Sequence, residues 1–159
     1  MCDAAIGMSA AVHAPPNKGA PAHAWPSTAD RQFVRMLDAF RGTGGLARPA
    51  EIVGHLQTGH DHAGSVLMHW IEQRRVICFD WDSRDWIPWF QFSRHTMAPH
   101  SHLMPVLIEL NTVYDAWEQG NWFATPNPWL AEHLPIDTLL TDLPAVLHAA
   151  RADRFIANG

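Results

Sequence analysis

Histidines, cysteines and a pair of late arginines are the residues of this chain whose types and spacing could do chemistry. There are 11 histidines, among them His60-Asp61-His62 and the set His95, His100 and His102. An H-x-H pair can bind a metal ion, but a tetrahedral site needs further ligands at recognisable spacing, and the chain has neither H-E-x-x-H nor a Cys/His quartet. Polar turn histidines are the simpler account, with no metal expected and some pH sensitivity between about pH 5 and 8. Cys78 sits among alternating apolar residues with no evident base or oxyanion-hole motif beside it. Ser65 and Ser83 lack a G-x-S-x-G context. Gly42-Thr43-Gly44-Gly45 follows an expected helix rather than a strand, which argues against a phosphate loop. The expectation is a protein with no catalytic residues and no cofactor. Arg151 and Arg154, at i and i+3 of one helix, face roughly the same way. They either compensate the helix dipole or form a clamp for a partner's carboxylate or phosphate.

The spacing of apolar residues predicts the elements that carry these groups. Residues 1–29 are rich in Ala, Pro, Gly and Ser without periodicity, which predicts a disordered N-terminal arm. Ser27-Thr28 can cap a first helix with Phe33, Val34, Leu37 and Phe40 on one stripe. Arg41-Gly42-Thr43-Gly44-Gly45 ends it. Arg48-Pro49-Ala50-Glu51 opens a second helix that buries Ile52, Val53 and Leu56. Past the turn at Gly59-His60-Asp61-His62, a third helix runs from Ala63 to Arg75 with Val66, Leu67, Trp70 and Ile71 on one face. Three short helices with tight turns can build a helix-turn-helix. Its exposed side presents Ser65, His69, Gln73 and Arg74, with Arg75 near the phosphates and Arg48 able to hold another phosphate. A merely solvated face is the plainer account of the same residues.

The run FDWDSRDWIPWFQF, residues 79–92, holds three of the eight tryptophans. Val76–Asp82 and Trp86–Phe92 read as the strands of a hairpin with a three-residue loop, Ser83-Arg84-Asp85. Pro88 cannot donate to a ladder, which predicts an edge for the second strand. The aromatics would clamp the sheet onto the helices while Asp80, Asp82 and Asp85 keep its outer face wet. A hairpin after the third helix is where a winged helix carries its wing. Beyond the polar linker Ser93–Ser101, helices are predicted over Leu103–Asn111, Ala116–Ala124, Leu134–Leu140 and, capped by Asp142, Leu143–Ile156. The last should turn Val146, Leu147, Ala150 and Phe155 inward. The fold class is therefore mainly α with one β-hairpin, a winged-helix-like helix-turn-helix part followed by a small C-terminal helical bundle. The expected divisions are 1–29, 30–92 and 93–159.

With 159 residues, 47% of them apolar, the chain has enough for one domain or two very small ones. Its net charge of −5 is uneven. Residues 31–79 are mildly basic and residues 80–159 are acidic, which suggests two surfaces with different partners. No apolar run approaches the ~20 residues that span a bilayer. The first residues lack the basic cluster that opens a secretory signal, and Cys2 and Cys78 form no C-x-x-C pair, so a reducing cytoplasm is expected.

The order of motifs carries more than any one of them. W-I-P-W-F-Q-F is followed by W-F-A-T-P-N-P-W-L, L-P-I-D-T-L-L and P-A-V-L-H-A-A-R-A-D-R-F. Over residues 31–159 this resembles antitoxins of the Xre/MbcA/ParS type, in which a helix-turn-helix precedes a C-terminal toxin-binding module. The resemblance implies a non-enzymatic protein that sequesters a RES-domain, NAD-destroying toxin and represses its operon, so toxin and operator DNA are the implied partners. It implies a homodimer or a hetero-oligomer with the toxin. The toxin-facing residues it implies are Asn127, Trp129 and Leu130 in the loop, with Arg151, Arg154 and Phe155 near the end. Two departures stand out: Ala131-Glu132 replaces the usual Gly-Gly turn, and SVLMHWIEQRR is less basic than most DNA-reading helices. A relative that keeps these modules but binds some other protein, without DNA, is the alternative.

Overall fold

The computed structural model describes residues 26–56 and 62–159. The expected arm up to residue 25, and His60-Asp61 of the H-x-H turn, lie outside the described residues. The fold is mainly helical with one small antiparallel sheet. Helix α1, Thr28–Phe40, starts on a capping box. Ser27 Oγ accepts from the Asp30 N–H at 3.0 Å, and the Asp30 carboxylate accepts from the Ser27 N–H at 2.8 Å. These hydrogen bonds hold the Asp30 carboxyl below its ordinary range. The buried stripe of α1 is Phe33, Met36 and Phe40; Val34 and Leu37, expected inside, are exposed. The contact face of a helix is narrow, and residues one position on from Phe33 and Met36 point about 100° away from it.

Helix α2, Pro49–Leu56, packs against α3, Ala63–Glu72. Helix α3 ends three residues before the predicted Arg75, because Arg74 takes a left-handed backbone at φ 53°. Strands β1 (Leu46–Ala47), β2 (Phe79–Trp81) and β3 (Arg84–Pro88) form a sheet of order β1-β3-β2. The hairpin loop is the pair Asp82-Ser83, both at positive φ, rather than the three residues expected. Two left-handed residues match the right-handed twist of paired strands. β3 is the central strand, not an edge. Pro88 is its last residue, opposite Leu46, and the next N–H, that of Trp89, donates to Gly45 O at 3.0 Å. Gln91 is fully buried and continues the pairing with its side chain, accepting from the Ile77 N–H at 2.6 Å and donating to Ile77 O at 3.0 Å.

Four helices follow: α4 (Leu103–Leu110), α5 (Ala116–Phe123), α6 (Pro135–Thr138) and α7 (Leu143–Ala157). The larger core joins Phe33, Met36 and Phe40 of α1 to Leu107, Phe123 and Val146. The smaller one gathers Ile52, Leu56, Leu67, Ile87 and Phe92. The packing thus unites α1 with the helices beyond residue 92 instead of with α2 and α3 alone. Among the described residues no helix is long and apolar enough to cross a membrane.

Candidate partner-binding face

Helix α7 begins where Asp142 accepts from the Ala145 N–H at 3.0 Å, with Pro144 in its first turn. Val146, Ala149 and Ala150 are buried, so the opposite face at i, i+4, i+7 and i+11 consists of Pro144, His148, Arg151 and Phe155, all exposed. Phe155 is 79% exposed, and it stands outward although an inward position was expected. The stripe of α7 set by Val146 and Ala150 is directed at α4, and position 155 falls outside it.

The loop before α6 adds to this face. Asn127 Oδ1 accepts from the Trp129 N–H at 2.9 Å, and its Nδ2 donates to Asp153 at 2.8 Å. Trp122 Nε1 donates to the same carboxylate oxygen at 2.7 Å. The short 3-10 turn Pro128–Leu130 is therefore tied to α5 and α7 through one aspartate. Ala131 and Glu132 follow with φ 52° and 64°. They adopt the left-handed turn that a Gly-Gly pair would take without steric cost. The turn puts Leu130 in the core and leaves Trp129 49% exposed, with its ring edge-on to His148 at 6.0 Å.

Of the residues expected to face a partner, Trp129 and Phe155 are exposed. Asn127 and Leu130 are buried, because one organises the turn and the other fills the core. Arg151 and Arg154 are spent on a residue that the motifs did not single out, Glu109 of α4. Arg151 Nε donates to Glu109 Oε1 at 2.9 Å, and Arg154 approaches Oε2 at 2.6 Å as an ion pair without hydrogen-bond alignment. Two cations on one buried carboxylate leave one positive charge over, and both guanidinium groups keep solvent-facing edges. The signal for Glu109 was available: it is the sole acid inside the apolar run LMPVLIEL.

The expected DNA-reading set is dispersed. Ser65, His69 and Gln73 are exposed along α3 and at its end. Arg74 leaves that face with the backbone turn and donates to Asn111 O at 3.0 Å and Tyr114 O at 2.7 Å, while Asn111 Nδ2 donates back to Arg74 O. This closes the C-terminal end of α4, whose carbonyls lack helical partners. Arg48 is half-buried, its guanidinium 4.8 Å from the Trp86 ring centre. Arg75 is half-buried. Cys78 is half-buried too, and burial pushes its thiol up to about 11. Among the described residues no group of three or more His, Cys, Asp or Glu could hold a metal ion. Comparison with known proteins found no matching family model, no matching curated protein and no matching solved structure.

Proposed function

We propose that this protein is an antitoxin-like binding protein of the cytoplasm that docks and neutralises a partner protein, of the NAD-degrading RES type that the motif order implies. The docking surface is the outer face of α7. The observation that carries this reading is the alignment of Trp129, His148, Arg151 and Phe155 on one exposed strip. Exposed aromatic side chains beside a guanidinium are the composition of interface hot spots. Trp129→Ala and Phe155→Ala should each weaken the complex with a RES-domain protein encoded beside it by about 2 kcal/mol. Titration calorimetry with both variants, alongside their melting curves, tests this. Wild-type affinity in both would place the contact elsewhere, and no complex at micromolar concentrations would remove the toxin from the proposal.

A second reading is an accessory protein-binding module that does not bind DNA. It is favoured by the use of Arg74 as a tie to the α4–α5 turn and of Arg48 as a cation against Trp86. Salt-dependent binding to DNA upstream of its own gene, weakened by Arg75→Ala, would argue for operator binding through α3. No shift at low salt leaves the second reading.

A further inference from the structure

On a part of the surface that shares no residue with the α7 strip, a cavity of about 680 Å³ opens beside the end of β3. That size lies in the range of small-molecule sites, roughly 300–1,000 Å³. Its aromatic lining comes from Trp89, Phe90 and Phe92, and its aliphatic lining includes Leu139 and Leu140. The remaining side comes from the segment between β3 and α4, with Arg94, His95 and His100.

That segment is held in place. The Ser93 N–H donates to Ala98 O at 2.9 Å, the Met97 N–H to Ser93 O at 2.8 Å, and the His100 N–H to Gln91 O at 2.8 Å. Gly44 fits the rim because its φ is +108° and any Cβ would stand 2.8 Å from Trp89 Cβ. Among the described residues, Arg94, His95 and His100 spend no side-chain atom on a hydrogen bond or an ion pair. None of the described residues lining the cavity is acidic, in a chain with 16 acids against 11 Lys and Arg. An unspent guanidinium thus lines the same cavity as aromatic and aliphatic side chains. One guanidinium, with no second Lys or Arg in the lining, beside aromatic and aliphatic side chains suits a monoanion with an apolar body.

We propose that this cavity binds a small amphipathic carboxylate, its head group on Arg94 beside His95 and His100, its apolar body on Trp89, Phe92 and Leu139. The test is calorimetric titration of the full chain with decanoate, below its micellar concentration, and with decanol as the uncharged analogue. One saturable site is expected, with decanol about tenfold weaker and Arg94→Gln costing decanoate about tenfold in affinity. Leu140→Asp, which sets a like charge at the exposed lip, should weaken decanoate at least as much. Both variants should melt with the wild type, since Arg94 and Leu140 are exposed. Absence of saturable binding up to about 1 mM would overturn the proposal. Equal affinity for decanol, or wild-type affinity in Arg94→Gln, would overturn the head-group assignment, and wild-type affinity in Leu140→Asp would overturn the location.

Discussion

In the hairpin, Trp81 lies flat on Phe33 with ring centres 3.9 Å apart and planes 2° from parallel, and Trp86 leans on the same phenylalanine at 5.4 Å. In the loop at residues 127–130, Trp129 makes a T-shaped contact with His148 at 6.0 Å, about half of it open to solvent. Both regions carry tryptophan next to a tight turn, yet one uses it to fasten the sheet to α1 and the other leaves it half open to solvent. The difference lies in what faces each ring. Strand alternation directs the hairpin tryptophans at a helix while Asp80, Asp82 and Asp85 take the solvent side. The turn at Asn127 instead sends Leu130 inward, and its neighbour outward.

Measurements on the two regions can break this contrast. Phe33→Ala removes the partner of both hairpin tryptophans and should cost about 3 to 4 kcal/mol in urea unfolding. Trp129→Ala should stay within about 0.5 kcal/mol of the wild type, as surface changes do. Similar losses in the two variants would abolish the distinction between fastener and contact.

The arginines sharpen it on the side of the loop. Removing Arg151 and Arg154 together leaves the Glu109 carboxylate, which is only 12% exposed, without a cation. We expect a loss of about 2 kcal/mol, with partial rescue when Glu109→Gln is added. No change in the midpoint would show that the carboxylate is hydrated without its partners. Because these cations serve the fold, Phe155→Ala separates partner binding from stability better than Arg154→Ala does.

A third test lies at the foot of the hairpin. Burial first, and Asp85 second, push the Cys78 thiol from 9.0 up to about 11, against the pull of Arg48. The folded chain holds this proton more tightly than the unfolded one. Its contribution is complete below pH 9.0 and is lost as pH rises toward about 11. The difference in stability between wild type and Cys78→Ser should therefore narrow across that interval and stay level from pH 6 to 8. The smallest effect belongs to the turn: Glu132→Gly relieves a left-handed residue at φ 64° and should raise stability by about 0.5 kcal/mol. A loss instead would mean that the Glu132 side chain stabilises the turn by more than its backbone costs.

Local rules carried far along this chain. Ser27, Asp142 and the glycines after α1 mark helix ends in the sequence as they do in the structure. The helices after residue 102 follow their apolar spacing within a residue or two. What local pattern could not supply was the partner of each face. The stripe of α1 read as Phe33, Val34, Leu37 and Phe40, but α5 and the hairpin cover Phe33, Met36 and Phe40 instead. β3 acquired its central place from β1, a strand of two residues too short to be read in advance. At the candidate sites, the Pro-bounded loop pointed to Trp129 as exposed, whereas apolar spacing turned Phe155 inward, and the charges of Arg74, Arg151 and Arg154 gave no hint of the carbonyls and the carboxylate they meet.

The membership of α1 in the larger core has a bearing on how the chain is made. Its hydrogen bonds to the later helices span great stretches of sequence: Trp117 Nε1 donates to Gln32 Oε1 across 85 positions, and Arg35 to Thr125 Oγ1 across 90. During synthesis α1 leaves the ribosome long before α5 exists, at about 5–20 residues per second. The hairpin can cover Phe33 as soon as it forms, and α2, α3 and the sheet can gather around Ile52 and Ile87, whereas Met36 waits several seconds for α5. Contacts across 85 and 90 positions close a long loop, whose entropy cost grows only slowly with length.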